Sequence, residues 1–518
     1  MTGFPEKLKE TLLAAVSGIL LTLAFPTWNL SGFAWIALIP LFFAIEGKSP
    51  ARAFWLGWIS GFFFFFGTLS WIITTIVTYG HISRLTGFLA FSLMCIILSL
   101  YPGLFAWGIT ICRRSLSVPR SVVNPLIWTG TEFLRAHFFI PFPWSSLGYS
   151  QYQQTALIQF SDITSVFGVS FIILLVNTVL FEPVFLILSH GRTERPPFRF
   201  SRIPLVATAG LFSAIFIYGA VKLHEPGPGF EVKVSVIQGN VDQDRKWDDR
   251  YRNETLLKYE ELTRRAASDH PDLILWPETA APFLFEREPV YREKLERFIA
   301  EIRIPLLFGS PALDPSPEGD KWFNSAYFLD SAGRIVDRYD KMKLVPFGEY
   351  VPFHRLLFFV NKITEGIGDF SAGNRSTVFA WANRSFGTLV CFEVIFPEVF
   401  RTFVSGGADF MTTITNDAWF GETAAPYQHF SMVVFRAIEN RTPVARAANT
   451  GISGFIDSRG RILATSALFV TDEITGRLKY YREKTFYSNF GDVFGWSVLI
   501  MSLTVLIIAF RKGKQYAG

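Results

Sequence analysis

The chain has 518 residues, of which 50% are hydrophobic and 16% aromatic, with 55 Phe, a composition too apolar for an ordinary soluble domain. The net charge of +5 gathers mostly in short loops and gives no reason to invoke a nucleic-acid partner. A membrane protein is the reading that remains.

Long apolar stretches run near residues 11–27, 32–46, 53–79, 85–112, 121–140, 160–189, 203–222 and 491–510. Most are long enough for a helix to cross a hydrocarbon core of about 30 Å, which predicts a polytopic helical bundle of about eight spans. The first stretch lacks a small-residue cleavage site and is followed by more spans, so it reads as an anchor rather than a removed signal. Lys and Arg mark alternate loops: Lys7 and Lys9; Lys48 and Arg52; Arg113, Arg114 and Arg120; Arg192, Arg195, Arg199 and Arg202; Arg511, Lys512 and Lys514. Alternate loops share one side, and excess positive charge assigns that side to the cytoplasm. Both termini are then cytoplasmic, and the polar stretch between the last two spans lies outside. The organisation expected is a membrane domain over 1–222 with seven spans, an external domain over 223–490, and an eighth span with a cytoplasmic tail over 491–518.

Two features inside the membrane region stand out. Glu132 and Arg135 lie one helical turn apart within an apolar segment, where ionisable groups must pair or face a wet cavity, and a structural pairing is expected. The stretch "FIPFPWSSLGY", 139–149, places Trp144 and Tyr149 at an expected external interface, as part of an aromatic belt or at a lipid entry. The Phe-rich "GFFFFFG", 61–67, reads as lipid-facing bulk.

After the Pro- and Gly-rich linker "LHEPGPGFE", 223–231, the pattern changes. Short β-branched and aromatic runs follow: "VKVSVIQGN", "LILWPE", "IPLLFGS", "NSAYFLD", "GRIVDRYDK", "GTLVCFEV", "DFMTTITND", "PVARAANTG" and "GFIDSRGRIL". Helical patterns at 250–267, 289–302 and near 427–441 alternate with them, and "YFLDSAGRIVDRY" reads as a hairpin. This predicts a layered α/β domain with mixed sheets. Residues 356–373, apolar and then Gly-rich, are expected to form a lid touching the membrane.

Three strand ends carry chemistry: Glu278 after "LILWP", Lys341 after "IVDRYD" and Cys391 after "GTLV". Cys95 and Cys112 fall in a membrane stretch, so Cys391 stands alone in the external domain and has no structural disulfide partner there. A carboxylate can take a thiol proton, and a cationic lysine favours the thiolate and steadies an oxyanion formed at an attacked carbonyl. The same three residues also fit a turn cap, a solvated lysine and a packed small hydrophobe, and spacing alone leaves both readings open. No G-x-S-x-G, H-E-x-x-H, C-x-x-C, Walker A or G-x-G-x-x-G occurs. His429, in "APYQHF", lacks ligand spacing and reads as structural or pocket-lining. No metal or cofactor is expected.

The motifs "LILWPETAAPF", "YDKMKLVPFGEYVPF", "GTLVCFEVIFPE" and "TNDAWFGETAAPYQHFSMVVFRAIENRTPVARAANTGISG" resemble those of the nitrilase superfamily, and within it the membrane-bound apolipoprotein N-acyltransferases of bacteria. The resemblance implies an αββα sandwich on the periplasmic side of the inner membrane. It implies Glu278 as general base, Lys341 on the oxyanion side and Cys391 as nucleophile, with Glu349, Glu393 and Trp247 in support. It further implies an acyl chain passed from a membrane phospholipid through a Cys thioester to the N-terminal amine of a diacylglyceryl apolipoprotein, by a ping-pong reaction in a monomer. Family members commonly carry Tyr after the cysteine and His two residues after the lysine, where this chain has Phe392 and Lys343. A membrane-tethered amidase or nitrile hydrolase using the same triad is the alternative. A transporter with an external binding domain is a third reading, disfavoured because the spans carry few charges and no matched pair of broken helices.

Overall fold

The structure is a computed structural model that describes residues 6–80, 82–189, 201–225, 229–246, 248–317, 319–351, 370–480 and 484–515. Trp247 and most of the segment 356–373 lie outside the described residues. The chain divides into two compact units. One comprises Met1–Ile73, Arg84–His224 and Asp492–Gly518, and the other Thr74–Ser83 and Glu225–Gly491.

The first unit is helical. Among the described residues, four helices are long and apolar enough to cross a membrane: Arg84–Ser115, Ser161–Leu188, Ile203–His224 and Val493–Gly513. A fifth candidate is the pair Pro50–Thr68 and Trp71–Tyr79, bent by 58°. This is fewer than the eight apolar stretches, and the reason is local. The stretch at 32–46 breaks into a short 3-10 turn, Ser31–Trp35, and the seven-residue helix Ile39–Ile45. The helices Glu6–Leu23 and Arg120–His137 do form, but the first begins with Glu6, Lys7, Lys9 and Glu10, and the second carries Arg120, Glu132 and Arg135.

Glu132 and Arg135 do not simply pair with each other. Arg135 donates to the carbonyls of Phe142 at 2.6 Å and Trp144 at 2.5 Å, and to Ser146 Oγ at 3.3 Å. Glu132 Oε1 accepts the Leu147 N–H at 2.6 Å. Two buried ionisable groups thus satisfy the backbone of a non-helical loop that could not otherwise sit in apolar surroundings. The loop folds inward as a result. Trp144 and Tyr149 are each 1% exposed, whereas Phe139 is 88% exposed, so the two residues expected at an aromatic surface are core instead. The Phe-rich run is also split, with Phe64 and Phe65 buried and Phe63 exposed.

The second unit contains two six-stranded sheets. Its strands are β1 (Phe230–Gln238), β2 (Leu273–Leu275), β3 (Leu306–Asp314), β4 (Lys321–Leu329), β5 (Ile335–Asp340), β6 (Phe379–Trp381), β7 (Arg384–Val390), β8 (Phe410–Thr415), β9 (Val444–Ala448), β10 (Gly454–Ile456), β11 (Ile462–Thr465) and β12 (Asp472–Tyr480). One sheet runs β12-β1-β2-β3-β4-β5 and the other β11-β10-β9-β8-β7-β6. In each, a parallel core (β1–β2–β3; β7–β8–β9) is extended by antiparallel strands on both sides. Parallel strands need crossovers, and the helices Arg252–Ala267, Pro289–Ile302, Pro397–Ser405 and Ala425–Asn440 supply them. The first two pack their apolar faces on the first sheet through Leu256, Leu262, Leu295 and Ile299, all buried.

The sheets face each other through aromatic side chains. Phe328 on β4 meets Phe386 on β7 edge-on at 5.1 Å and Phe379 on β6 at 5.6 Å. Residues 74–83 group with this unit because Thr75 Oγ1 donates to the Trp419 carbonyl at 2.9 Å and the Tyr79 hydroxyl to the Ala418 carbonyl at 2.7 Å.

Phe328→Ala should destabilise the full-length protein by about 3–5 kcal/mol, the usual effect of emptying an aromatic core site. A thermal melt superimposable on that of the wild type would show that the sheets are not held together there.

Candidate active site

The ends of three strands bring the chemistry together. Glu278 follows β2 by three residues, Lys341 follows β5 directly, and Cys391 follows β7 directly. The first two come from one sheet and the third from the other, so the site forms where the ends of the two sheets meet.

Each position is set by local packing. Trp276, fully buried between Tyr259 and Phe308, donates its indole N–H to Thr263 Oγ1 at 2.8 Å and so anchors "WPE". Gly309 on β3 lets Glu278 lie against that strand: a Cβ there would fall 2.4 Å from the Thr279 nitrogen and 2.7 Å from Glu278 Cα. Cys391 itself sits at φ 52°, a left-handed conformation that costs a non-glycine residue on the order of 1–3 kcal/mol. Such strain persists only where the surroundings over-determine it.

The carboxylates form a connected network. Lys341 Nζ, 1% exposed, lies 3.0 Å from Glu349 Oε1 and 3.8 Å from Glu278 Oε1. The Asn324 amide donates to both, at 2.7 Å to Glu278 and 2.9 Å to Glu349. The Asn416 N–H donates to Glu278 Oε2 at 2.9 Å, and the Val345 N–H to Glu349 Oε2 at 2.8 Å. Glu393 ties the Cys391 turn to the Lys341 strand end. Its Oε2 accepts the Val390 N–H at 2.8 Å, and its Oε1 accepts the Tyr339 hydroxyl at 2.8 Å and the N–H groups of Met342 at 2.7 Å and Lys343 at 3.1 Å.

Charge sets the protonation of the thiol. Burial pushes Cys391 well above the usual thiol range; Glu278 adds to the rise and Lys341 opposes it. Lys341 behaves in the opposite way. Burial alone would lower it, but Glu349 and Glu278 hold it above the usual lysine range, so it stays a cation. A second lysine, Lys246, is 1% exposed and donates to the Glu278 carbonyl at 2.9 Å. Burial lowers its pKa to about 7 against the pull of Glu278 and Cys391. The resting arrangement is therefore a protonated thiol beside a carboxylate and a fixed cation, which equips it for proton abstraction and oxyanion stabilisation in acyl transfer.

Of the residues expected from sequence, the structure brings Glu278, Lys341, Cys391, Glu349 and Glu393 into one site. Trp144 and Tyr149 belong to the other unit, and Trp247 is outside the described residues. Lys343 pairs with Glu398 at 3.7 Å over the Phe396 ring, and Phe392 packs edge-on against Phe396. Sequence reasoning passed over Asn324, Asn416 and Lys246. Asn324 and Asn416 sit inside or just after apolar strands, where a polar residue needs a partner, and that was the available signal.

Alkylation of Cys391 by iodoacetamide, followed at the peptide level, should be slow at neutral pH and climb later in the alkaline range than for an exposed thiol. Lys341→Met should slow it further and Glu278→Gln should speed it. The reverse order would contradict the charge assignment.

Comparison with known proteins comes from both units. Residues 17–179 match the apolipoprotein N-acyltransferase N-terminal domain family, and residues 233–479 match the carbon-nitrogen hydrolase family. An apolipoprotein N-acyltransferase of Geobacter metallireducens is 42% identical over 507 residues, covering 97% of this chain and 96% of its own. Another from Methylococcus capsulatus is 31% identical over 517 residues, covering 99% and 98%. Among solved structures, an amidase from Nesterenkonia sp. AN1 is similar over 48% of this chain and 90% of its own, at TM-score 0.37 and 20% identity. End-to-end similarity at these identities, with both family matches in the expected order, shows that the chain belongs to the apolipoprotein N-acyltransferase family of bacterial membrane proteins.

Proposed function

We propose that this protein transfers an acyl chain from a membrane phospholipid to the N-terminal amine of diacylglyceryl-cysteine on apolipoproteins, through a thioester on Cys391. The observation that carries the reading is the buried cluster of Glu278, Lys341, Glu349 and Cys391 in a chain related over its whole length to apolipoprotein N-acyltransferases.

In the first step Glu278 takes the Cys391 proton as the sulfur attacks the ester carbonyl of the phospholipid. Lys341 faces the resulting oxyanion. Collapse breaks the ester C–O bond, and the departing lysophospholipid oxygen takes the proton from Glu278. In the second step the acceptor amine attacks the thioester and gives a proton to Glu278. The C–S bond then breaks, and the thiolate regains that proton as the amide is released. A thioester suits this sequence because it is activated toward amines, while lipid chains around it exclude the water that would hydrolyse it.

The proposal extends to topology. Residues 1–222 and 491–518 form the membrane part and 223–490 the catalytic part, which faces the periplasm of the inner membrane with both termini in the cytoplasm. The Lys and Arg loops support that orientation. The protein acts as a monomer, with Trp247 supporting substrate rather than chemistry. An amidase of small molecules would use the same centre, but the apolar helices then have no part in its reaction, which favours lipid substrates.

Purified protein given phospholipid and a diacylglyceryl-cysteine peptide should produce a peptide heavier by one acyl group and a stoichiometric lysophospholipid, and a peptide with a blocked N-terminus should stay unmodified. Free fatty acid without acylated peptide would replace the transferase reading by a hydrolase.

A further inference from the structure

His429, in the helix Ala425–Asn440, is fully buried and has no part in the proton transfers above. Its Nε2 lies 3.1 Å from the carbonyl oxygen of Cys391. A carbonyl only accepts, so Nε2 carries the proton and donates it. On the other side of the ring, Nδ1 is 3.0 Å from Arg446 Nη2 and 3.1 Å from Asp417 Oδ1. Burial and the Arg446 cation lower the His429 pKa, so the ring is neutral and Nδ1 accepts from Arg446. Arg446 also donates to Asp417 Oδ2 at 2.8 Å and to the Ile452 carbonyl at 3.1 Å, while Thr415 Oγ1 donates to Asp417 Oδ1 at 2.9 Å. Burial alone would raise Asp417, yet the Arg446 cation holds it below the usual carboxylate range, so it stays ionised.

This network joins the two sides of the reacting centre. Asp417 directly follows Asn416, whose N–H holds the Glu278 carboxylate, and His429 holds the backbone of Cys391. Cys391 opens the 3-10 turn Cys391–Ile395 in a left-handed conformation, and His429 adds a side-chain donor to its carbonyl where that strained backbone has to be held. We infer that His429, oriented by Arg446 and Asp417, is a positioning residue that fixes the Cys391 backbone so that its thiol meets Glu278 at reacting distance. The inference rests on Cys391 being the nucleophile.

The test compares His429→Leu, which removes the donor at similar volume, with His429→Gln, which keeps an N–H at similar reach. Melting temperature, donor KM and the single-turnover rate of acyl-enzyme formation from phospholipid are measured for both. His429→Leu should lower that rate by about 100-fold, the scale of a 1 Å misplacement, with donor KM unchanged. His429→Gln should recover about tenfold of it although both variants lose melting temperature alike. A Cys391 adduct formed as fast in His429→Leu as in the wild type removes this inference alone. So does an equal loss of rate in both variants, which is the mark of a merely structural residue. A wild-type adduct that maps elsewhere than Cys391 removes the nucleophile, and this inference with it.

Discussion

The site depends on one buried cation held between two carboxylates. Lys341 is almost wholly removed from water, where an unpaired ammonium would be strongly destabilising. Glu349 at 3.0 Å and Glu278 at 3.8 Å make the charge tolerable, and Asn324 fastens the two carboxylates to each other. Deleting one member of such a group strands the rest, a loss on the order of 3–5 kcal/mol, so the arrangement is rigid as well as charged. A single carboxylate beside Lys341 would satisfy its charge. Glu349 supplies it at the shorter distance.

The thiol is tuned by the same charges. Burial and Glu278 keep Cys391 protonated at rest, and Lys341 limits that rise. Under the proposed reaction, this makes the thiolate a product of substrate attack rather than a standing reactive group. That restraint also protects the thiol, because thiolate character and exposure together govern oxidation. Glu393 complements this by geometry: four donors from the Cys391 turn and the β5 end converge on one carboxylate, so nucleophile and lysine are held in register across the two sheets.

Much of the second unit was legible because its periodicities are simple. Apolar β-branched runs mark the buried parallel strands, and the hairpin "YFLDSAGRIVDRY" appears as β4 and β5, with Asp330 Oδ1 closing its turn through the N–H groups of Ala332 and Arg334. Strand β12 was not read, because "DEITGRLKY" alternates charges on an edge that pairs only with β1, and edge strands carry charge for reasons of solubility. The chemistry-bearing strand ends were visible as residue types, but their meeting was not. Separation along the chain carries no distance, and the family resemblance rather than spacing joined Glu278, Lys341 and Cys391. In the first unit, apolar composition located helical segments but misjudged the loop holding Trp144 and Tyr149. The inward turn is made by Glu132 and Arg135 bonding to backbone, an interaction with no signature in hydropathy.

The central claim is that Cys391 carries the acyl group, and the most direct measurement incubates the purified protein with phospholipid and no acceptor. Intact and peptide masses are compared before and after hydroxylamine. The account predicts one acyl adduct on the peptide bearing Cys391, removed by hydroxylamine and absent from Cys391→Ser. An enzyme that acylates peptides yet shows no such adduct, or shows it on another residue, would contradict the account.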